Sequence, residues 1–256
     1  MKCPLCGKLF SEEEFLHSGG VCPACGFHLR LSVEQRISLT CDRWNSLSPE
    51  LEYLKDPLEF KDRYHYEERV ERERRKTGRE SAIELGRCWA GDVDFMMGIF
   101  DFDFMGGTMG IVVGERIRYL FESAMREKKA VVIFFSSGGA RMQEGLFSLM
   151  QMAKVTVVVD EFKSRCRKPF ISVITHPTTG GVLASIVYQA DIVIAEPGAD
   201  VGFTGKRVIR KLYRRRIPSD FQKAERTLAL GYLDDVVDRR ELKDYLVKVV
   251  EFLSDG

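Results

Sequence analysis

The chain of 256 residues contains no apolar run near the roughly 20 residues needed to span a bilayer. Its start, Met1-Lys2-Cys3-Pro4, lacks a positive stretch followed by an apolar one, so no secretory signal is visible. Net charge is nearly absent as well. With 39 Lys and Arg against 38 Asp and Glu, long-range electrostatics nominate no partner. The motifs of common hydrolases and nucleotide enzymes are missing: there is no G-x-S-x-G elbow, no H-E-x-x-H and no P-loop. Histidine is scarce, and beyond residue 80 only His176 remains, which reads as a satisfied structural histidine. These absences describe a cytoplasmic chain with few side chains suited to acid–base or nucleophilic work.

What is present falls into three zones. Residues 1–30 hold four of the seven cysteines. Residues 31–80 are charge-rich and end in a run, 66–76, whose mixed signs at helical spacing predict a solvated helix stopped at Thr77-Gly78. From about residue 81 short apolar runs alternate with glycine turns and amphipathic helices. Strands are predicted at 131–135, 170–174 and 192–195, with helices at 111–126, from 142 to about 165, and from 182. Strand, glycine turn and helix repeated in this way predict an α/β fold with parallel strands.

Cys3-Pro4-Leu5-Cys6 and Cys22-Pro23-Ala24-Cys25 are two C-x-x-C knuckles with 15 residues between them. Each presents two thiolates from one tight turn, and together they predict a tetrahedral zinc ribbon with ligands Cys3, Cys6, Cys22 and Cys25. Four thiolates leave no open coordination position, so the zinc is structural. Cys41, Cys88 and Cys166 read as packing or incidental thiols, with no disulfide expected.

Two glycine turns carry the candidate chemistry. Ser137-Gly138-Gly139-Ala140 and Thr179-Gly180-Gly181 each lie between a strand and a helix, where backbone N–H groups can approach a ligand and the following helix adds positive potential. Two such groups aimed at one thioester oxygen would stabilise an enolate. The bland alternative is turn chemistry alone. A third cluster, Phe104-Met105-Gly106-Gly107-Thr108-Met109-Gly110, is either close helix–strand packing or the wall of an acyl-CoA pocket.

These motifs, with Lys76-Thr77-Gly78, Asp103, Arg141-Met142-Gln143-Glu144, residues 148–154, His176-Pro177-Thr178, Ala195-Glu196-Pro197 and Gly202-Phe203, resemble one family from Lys2 to about Asp238. It is the carboxyltransferase β-subunit family of bacterial acetyl-CoA carboxylases. The resemblance implies a crotonase-like (ClpP/crotonase) domain over 81–256, joined to the ribbon by a charged helical connector at 31–80. It implies an α2β2 assembly with a carboxyltransferase α subunit, served by biotin carboxylase and by biotin on a separate carrier protein. The implied reaction moves a carboxyl group from carboxybiotin to acetyl-CoA, giving malonyl-CoA, with the biotin ureido anion as the base. By the same resemblance Gly180 and Gly181 hold the enolate oxygen, and Gly138, Gly139 and Ala140 form a second oxyanion turn. Phe104, Met105, Gly106, Gly107 and Arg141 are the residues expected to bind the acyl-CoA.

Two departures stand out. Family members carry a leader before the first cysteine, where this sequence has Met1 and Lys2. The usual Arg-Val-Ile-Glu-Gln-Thr reads Arg207-Val208-Ile209-Arg210-Lys211-Leu212, within a basic segment at 206–216. They leave open a paralogue of a specialised pathway such as antibiotic biosynthesis, an inhibitor-resistant copy, or a malonyl-thioester decarboxylase. Nucleic-acid binding through the ribbon and the basic segment is a reading of another class.

Overall fold

The computed structural model describes residues 2–213 and 218–254. Two knuckled hairpins open the chain, closed by the bridges Lys2–Leu9 and Val21–His28. Between them lies helix α1 (Glu12–His17), whose Ser11 and Glu14 form a reciprocal capping box. Helix α2 (Val33–Thr40) starts on the same device, built from Ser32 and Gln35. There follow β1 (Arg43–Ser46), α3 (Tyr66–Thr77), β2 (Ile83–Ala90), β3 (Val93–Phe100), α4 (Ile111–Glu127) and β4 (Ala130–Ser137). The chain continues through α5 (Gly145–Cys166), β5 (Phe170–Thr179), α6 (Gly181–Ser185), β6 (Ile192–Ala195) and β7 (Val201–Gly202). It ends with α7 (Lys206–Tyr213), α8 (Ala224–Ala229), β8 (Asp235–Val236) and α9 (Leu242–Ser254). No helix among the described residues is long and apolar enough to cross a membrane.

The strands form one sheet in the order β1-β2-β3-β4-β5-β6-β8, with β7 pairing to β5. The first two pairings are antiparallel and those from β3 onward are parallel. The parallel strands advance in chain order because each connecting helix returns the chain beside the strand just made. The central strands are buried on both faces, as their unbroken apolar sequences require. Val131, Ile133 and Phe135 of β4 face α4, α5 and α6, while Ala130, Val132 and Phe134 face α2 and α9. Phe121 of α4 meets Phe162 of α5 and Phe170 of β5 edge-on, with centroids at 5.3 and 5.0 Å. Such aromatic pairs add about 0.5–1.5 kcal/mol each beyond area burial.

The structure matches the predicted strands and helices closely, with instructive differences. Residues 142–144 tighten into a 3-10 turn before α5 begins at Gly145, which turns the Glu144 side chain inward. Helix α3 ends at Gly78, which takes the left-handed conformation and donates its N–H to Arg74. Within 31–80, β1 extends the sheet and α2 packs on its face. Cys41 and Cys88, read from sequence as separate thiols, are instead joined as a disulfide, with Cα atoms 5.4 Å apart. The cause is register: β1 pairs Trp44 with Cys88, and the turn from α2 into β1 brings Cys41 alongside. Spacing along the chain carries no trace of that pairing. Cys166 is free.

The hairpin unit is fastened to the sheet by buried charge. Arg239 donates to the carbonyl oxygens of Gly20 and Leu29 on the hairpin side and to both carboxylate oxygens of Glu196, which follows β6. Arg36 of α2 meets the same carboxylate at 2.7 Å. Burial alone would raise the pKa of Glu196, but the Arg36 and Arg239 charges and the Arg239 hydrogen bonds hold it at about 2. Burial and the neighbouring Arg239 charge lower the pKa of His28, which meets Asp238 at 3.3 Å.

Because the folded pKa of Glu196 lies below its ordinary 4.5, this stabilisation is complete above about pH 4.5 and is lost as pH falls toward 2. Glu196→Gln should therefore cost about 3–5 kcal/mol at neutral pH, leaving two arginines under-compensated. It should also flatten the acid limb of stability. Urea titrations at several pH values check both, and an unchanged acid limb would exclude Glu196 as its source.

Candidate functional site

The parallel strands β3, β4 and β5 all end on one edge of the sheet, and the three glycine-bearing loops leave from those ends. In the first loop Met105, Gly106 and Gly107 take left-handed conformations in succession, with φ of 50, 69 and 61°. A Cβ on Gly107 would lie 2.0 Å from the carbonyl oxygen of Ser136, so only glycine lets this loop reach β4. The contact is zipped by three hydrogen bonds: Gly138 N–H to Gly106 O at 2.9 Å, Met109 N–H to Gly139 O at 2.8 Å, and Arg141 N–H to Met109 O at 2.8 Å.

The second and third loops touch directly. A Cβ on Gly180 would stand 3.1 Å from Gly139 Cα and 3.3 Å from Gly138 O. Gly180 also sits at φ 72°, a region that disfavours side chains. The N–H of Gly138 is spent on Gly106, that of Gly139 on the Ser137 hydroxyl at 3.1 Å, and that of Gly180 on Gly202 O at 3.2 Å. Among the described residues, the N–H groups of Ala140 and Gly181 make no hydrogen bond within the chain. Gly181 N lies 3.5 Å from where a Cβ of Gly139 would be, so this donor borders the junction of the two turns. Helix α6 has five residues, so its N-terminal field is weak and the N–H group itself is the useful feature.

Over the second turn lies a cavity of about 370 Å³ lined by Gly138, Ala140, Met105, Thr108, Met142, Gln143 and, from α3, Arg69, Arg72 and Glu73. Glu73 faces Lys76 and Arg72 at 3.5 and 3.9 Å. Beyond the third turn an apolar groove of about 430 Å³ runs past Leu183, Tyr188, Val201, Phe203, Leu230 and Tyr232. His176 stands on β5 near the third turn, where its Nδ1 accepts from Asp200 N–H at 3.3 Å and its ring meets Phe27 of the hairpin unit.

A buried polar group backs the second turn. Arg141, 3% exposed, donates to the Thr108 hydroxyl at 3.2 Å, the Thr108 carbonyl at 2.8 Å and the Tyr66 hydroxyl at 3.1 Å, and its guanidinium lies 5.8 Å from the Phe104 ring centroid. Glu144 accepts from Tyr66 Oη and from the N–H of Ile111, the first residue of α4. Burial, only partly offset by the Arg141 charge, pushes the Tyr66 phenol well above its usual range, so it stays a donor. Tyr66 opens the predicted charged helix and Glu144 ends a motif of the resemblance, but the sequence assigned neither a role at the site. The available signal was the pair Tyr66 and Val70, four residues apart in an otherwise charged run, which marks a buried stripe on α3.

The four cysteines of the paired knuckles converge. Their sulfurs all lie within 4.8 Å of one another, with Cys3–Cys25 and Cys6–Cys22 at 3.7 Å. The two knuckles repeat one backbone pattern: Gly7 and Gly26 donate to the carbonyls of Cys3 and Cys22. The set has the geometry to bind a metal ion. His28 turns away to Asp238. The side chains of Lys206, Arg207 and Arg210, and all of Arg214, Arg215 and Arg216 in the basic segment, fall outside the described residues.

Residues 90–231 match the carboxyl transferase domain family. The acetyl-coenzyme A carboxylase carboxyl transferase subunit beta of Trichodesmium erythraeum is 44% identical over 98% of this chain and 77% of its own length. That of a Thermus thermophilus strain is 45% identical over 100% of this chain and 89% of its own. The chain belongs to the acetyl-CoA carboxylase carboxyltransferase β-subunit family. Its fold matches transcarboxylase 12S with a TM-score of 0.69 at 21% identity, covering 93% of this chain and 43% of that one. It also matches the Pseudomonas malonate decarboxylase MdcD–MdcE hetero-dimer with a TM-score of 0.63 at 19% identity, over 88% of this chain and 87% of that one. The architecture is therefore the crotonase-like one, and the chain is a carboxyltransferase β subunit of acetyl-CoA carboxylase.

Metal-bound thiolates resist alkylation. With metal present, iodoacetamide should spare Cys3, Cys6, Cys22 and Cys25, and a chelator should expose all four to mass-spectrometric labelling. Cys22→Ala should release the other three even in the presence of metal. Labelling that ignores the chelator would rule the cluster out as a metal site.

Proposed function

We propose that this β subunit binds acetyl-CoA with its thioester oxygen at the junction of the two glycine turns and carboxylates its methyl carbon to give malonyl-CoA. The single observation that carries this is the pair of uncommitted N–H groups, Ala140 and Gly181, flanking the contact between Gly139 and Gly180. When a proton leaves the methyl group, its electron pair moves onto the thioester oxygen, and donors fixed there before reaction stabilise that charge without reorganising. Gly138, Gly139 and Gly180 spend their own N–H groups shaping the turns. Met105 and Thr108 form the adjoining wall, Phe104, Gly106 and Gly107 shape the loop behind it, and Arg141 braces that loop from the buried side. Carboxybiotin on a separate carrier protein supplies the carboxyl group and the base. That division of labour suits a cavity whose one lining carboxylate, among the described residues, faces Lys76 and Arg72.

The four-cysteine cluster is proposed to hold structural zinc. Zn–S bonds of about 2.3 Å in a tetrahedron place sulfurs about 3.8 Å apart, close to the 3.7 Å of Cys3–Cys25 and Cys6–Cys22. Packed against β5 through Phe27 and His176, the zinc unit supports the third turn and takes no part in the chemistry.

The partner we assign is a carboxyltransferase α subunit, in an assembly completed by the biotin carrier and biotin carboxylase. Met142, Leu146, Leu149, Met150 and Val157 project from the start and outer face of α5 into solvent, and Phe203, Leu230 and Tyr232 do so beyond α6. Gln189 bonds Thr156 of α5, so the two groups belong to one surface flanking the glycine turns. An apolar surface of this kind beside a reaction site is best covered by protein.

The assembled chain, given acetyl-CoA and carboxybiotin, should release malonyl-CoA. Gly180→Val should lower kcat by about 10²–10³, the cost of losing an oxyanion donor, while metal content and far-UV circular dichroism stay unchanged. Retained turnover in that variant would remove the turns from the mechanism. Leu146→Asp with Met150→Asp should abolish co-purification with the α subunit yet leave the isolated chain folded. Undiminished assembly would place the interface elsewhere.

A further inference from the structure

Resting on the reading of Ala140 N–H as an oxyanion donor, we propose that Tyr66, Glu144 and Arg141 form a buried positioning relay that sets this N–H group from the far side of the turn. None of the three need touch substrate. Their effect is exerted through the backbone.

Four of the contacts around the second turn and the loop beside it are made by Glu144 and Arg141 themselves. Glu144 takes the N–H of Ile111 and so fixes where α4 begins. Gly110 sits so close that a Cβ there would meet the Glu144 carboxylate oxygens at 2.5 and 2.6 Å, which locks the loop before α4 against the turn. Arg141 grips the carbonyl and hydroxyl of Thr108 in that same loop. Its own N–H, one residue after Ala140, is received by Met109 O. The peptide carrying the Ala140 N–H is therefore bounded by Gly139 O bonded to Met109 and by Arg141 N–H bonded to Met109. Its orientation follows the 104–110 loop, and that loop follows Arg141 and Glu144.

Tyr66 joins the two charges. Its hydroxyl donates to Glu144 and accepts from Arg141, while Arg141 and Glu144 stand 3.7 Å apart at their closest. Without the hydroxyl, both ions keep their burial and lose a shared partner, an arrangement with a high cost in a low-dielectric interior. Tyr66 is 2% exposed and is the first residue of α3, whose Arg69 and Arg72 line the cavity over the turn. The relay thus links the charged helix that roofs the cavity to the donor on its floor.

Tyr66→Phe deletes one oxygen and leaves the ring in place, and Glu144→Gln keeps an acceptor for Ile111 but removes the charge facing Arg141. Each is assembled with the α subunit and assayed. Misplacing a donor by a fraction of an ångström should lower kcat about tenfold to a hundredfold, with the KM for acetyl-CoA within about twofold, because an interaction made in the transition state is lost and ground-state binding is kept. Hydrogen exchange on the same samples should quicken in peptides covering 136–145 and stay unchanged in the hairpin unit and α9. Normal kcat or unchanged exchange at 136–145 in both variants overturns the proposal. So does a parallel loss of kcat, KM and global protection in both, which would mark the relay as structural support alone. If the unmodified assembly itself shows no turnover, the reading of the site has failed, and the exchange measurement still decides whether the relay orders the turn.

Discussion

The approach of Gly139 to Gly180 is the constraint on which the remaining structure depends. Strands β4 and β5 pair in parallel with Ser137 opposite Thr178, after a register irregularity between Phe135 and Ser137, so the two loops leave the sheet side by side. A Cβ on Gly180 would crowd the Gly139 Cα at 3.1 Å, while Gly139 is held to glycine mainly by its φ of 108°, since a Cβ there would rest in ordinary contact at 3.4 Å. Two backbone segments this close bring the Gly181 N–H to the edge of the second turn, where the proposed function pairs it with that of Ala140. A pair of side-chain donors would need their rotamers frozen to do as much, whereas here the sheet has already met the entropic cost in folding.

How much of this was legible in the sequence depends on whether the information was local. Val131 to Phe135 announce a doubly buried strand, and Leu146, Leu149 and Met150 announce a helix, because periodicity and β-branching are properties of neighbours in sequence. The cysteine tetrad was equally plain, since each knuckle is complete within four residues. The pairing of Cys41 with Cys88 was hidden, as it depends on the register of β1 against β2. Helical spacing does not say which way a stripe faces: Leu146, Leu149 and Met150 are exposed, and the proposed assembly would cover them with a partner subunit. The glycine turns were visible as turns, but which N–H groups are spent and which are open is decided by acceptors 32 and 22 residues away, Gly106 for Gly138 and Gly202 for Gly180. No pattern within a short window reports that.

The hairpin unit shows how a small module without an apolar core of useful size is held in place. Its own buried cluster is Cys3, Phe10, Phe15 and Cys22, too few to fix its orientation on a sheet. Orientation comes instead from Arg239, which satisfies carbonyls of the hairpin unit with one nitrogen and Glu196 with the other two. Hydrogen bonds of this kind are directional where apolar contact is not, so they specify one docking pose. The pose has a consequence for the site: Phe27 comes to rest against His176, four residues before Gly180 on the strand that feeds the third turn. With the proposed metal bound, a module placed there would brace the end of β5 that leads into the third turn.

The proposed site of backbone donors would also explain why its surroundings differ so much from one side to the other. Backbone N–H groups cannot be tuned by pKa, so whatever proton transfer the reaction needs has to arrive from outside the turns. The fold keeps one approach polar, through Arg69, Arg72 and Thr108 above Ala140, and leaves the flank beyond Gly181 apolar, through Tyr188, Phe203 and Tyr232. An apolar flank raises the value of each hydrogen bond to a developing oxyanion once it is covered, because the local dielectric falls when water leaves. Left uncovered, the same flank is a solubility liability and the donors compete with solvent. Under the proposed assembly, exposed Met142, Leu146 and Phe203 around these turns make chemical sense, because a second subunit covering them would lower the dielectric at the donors.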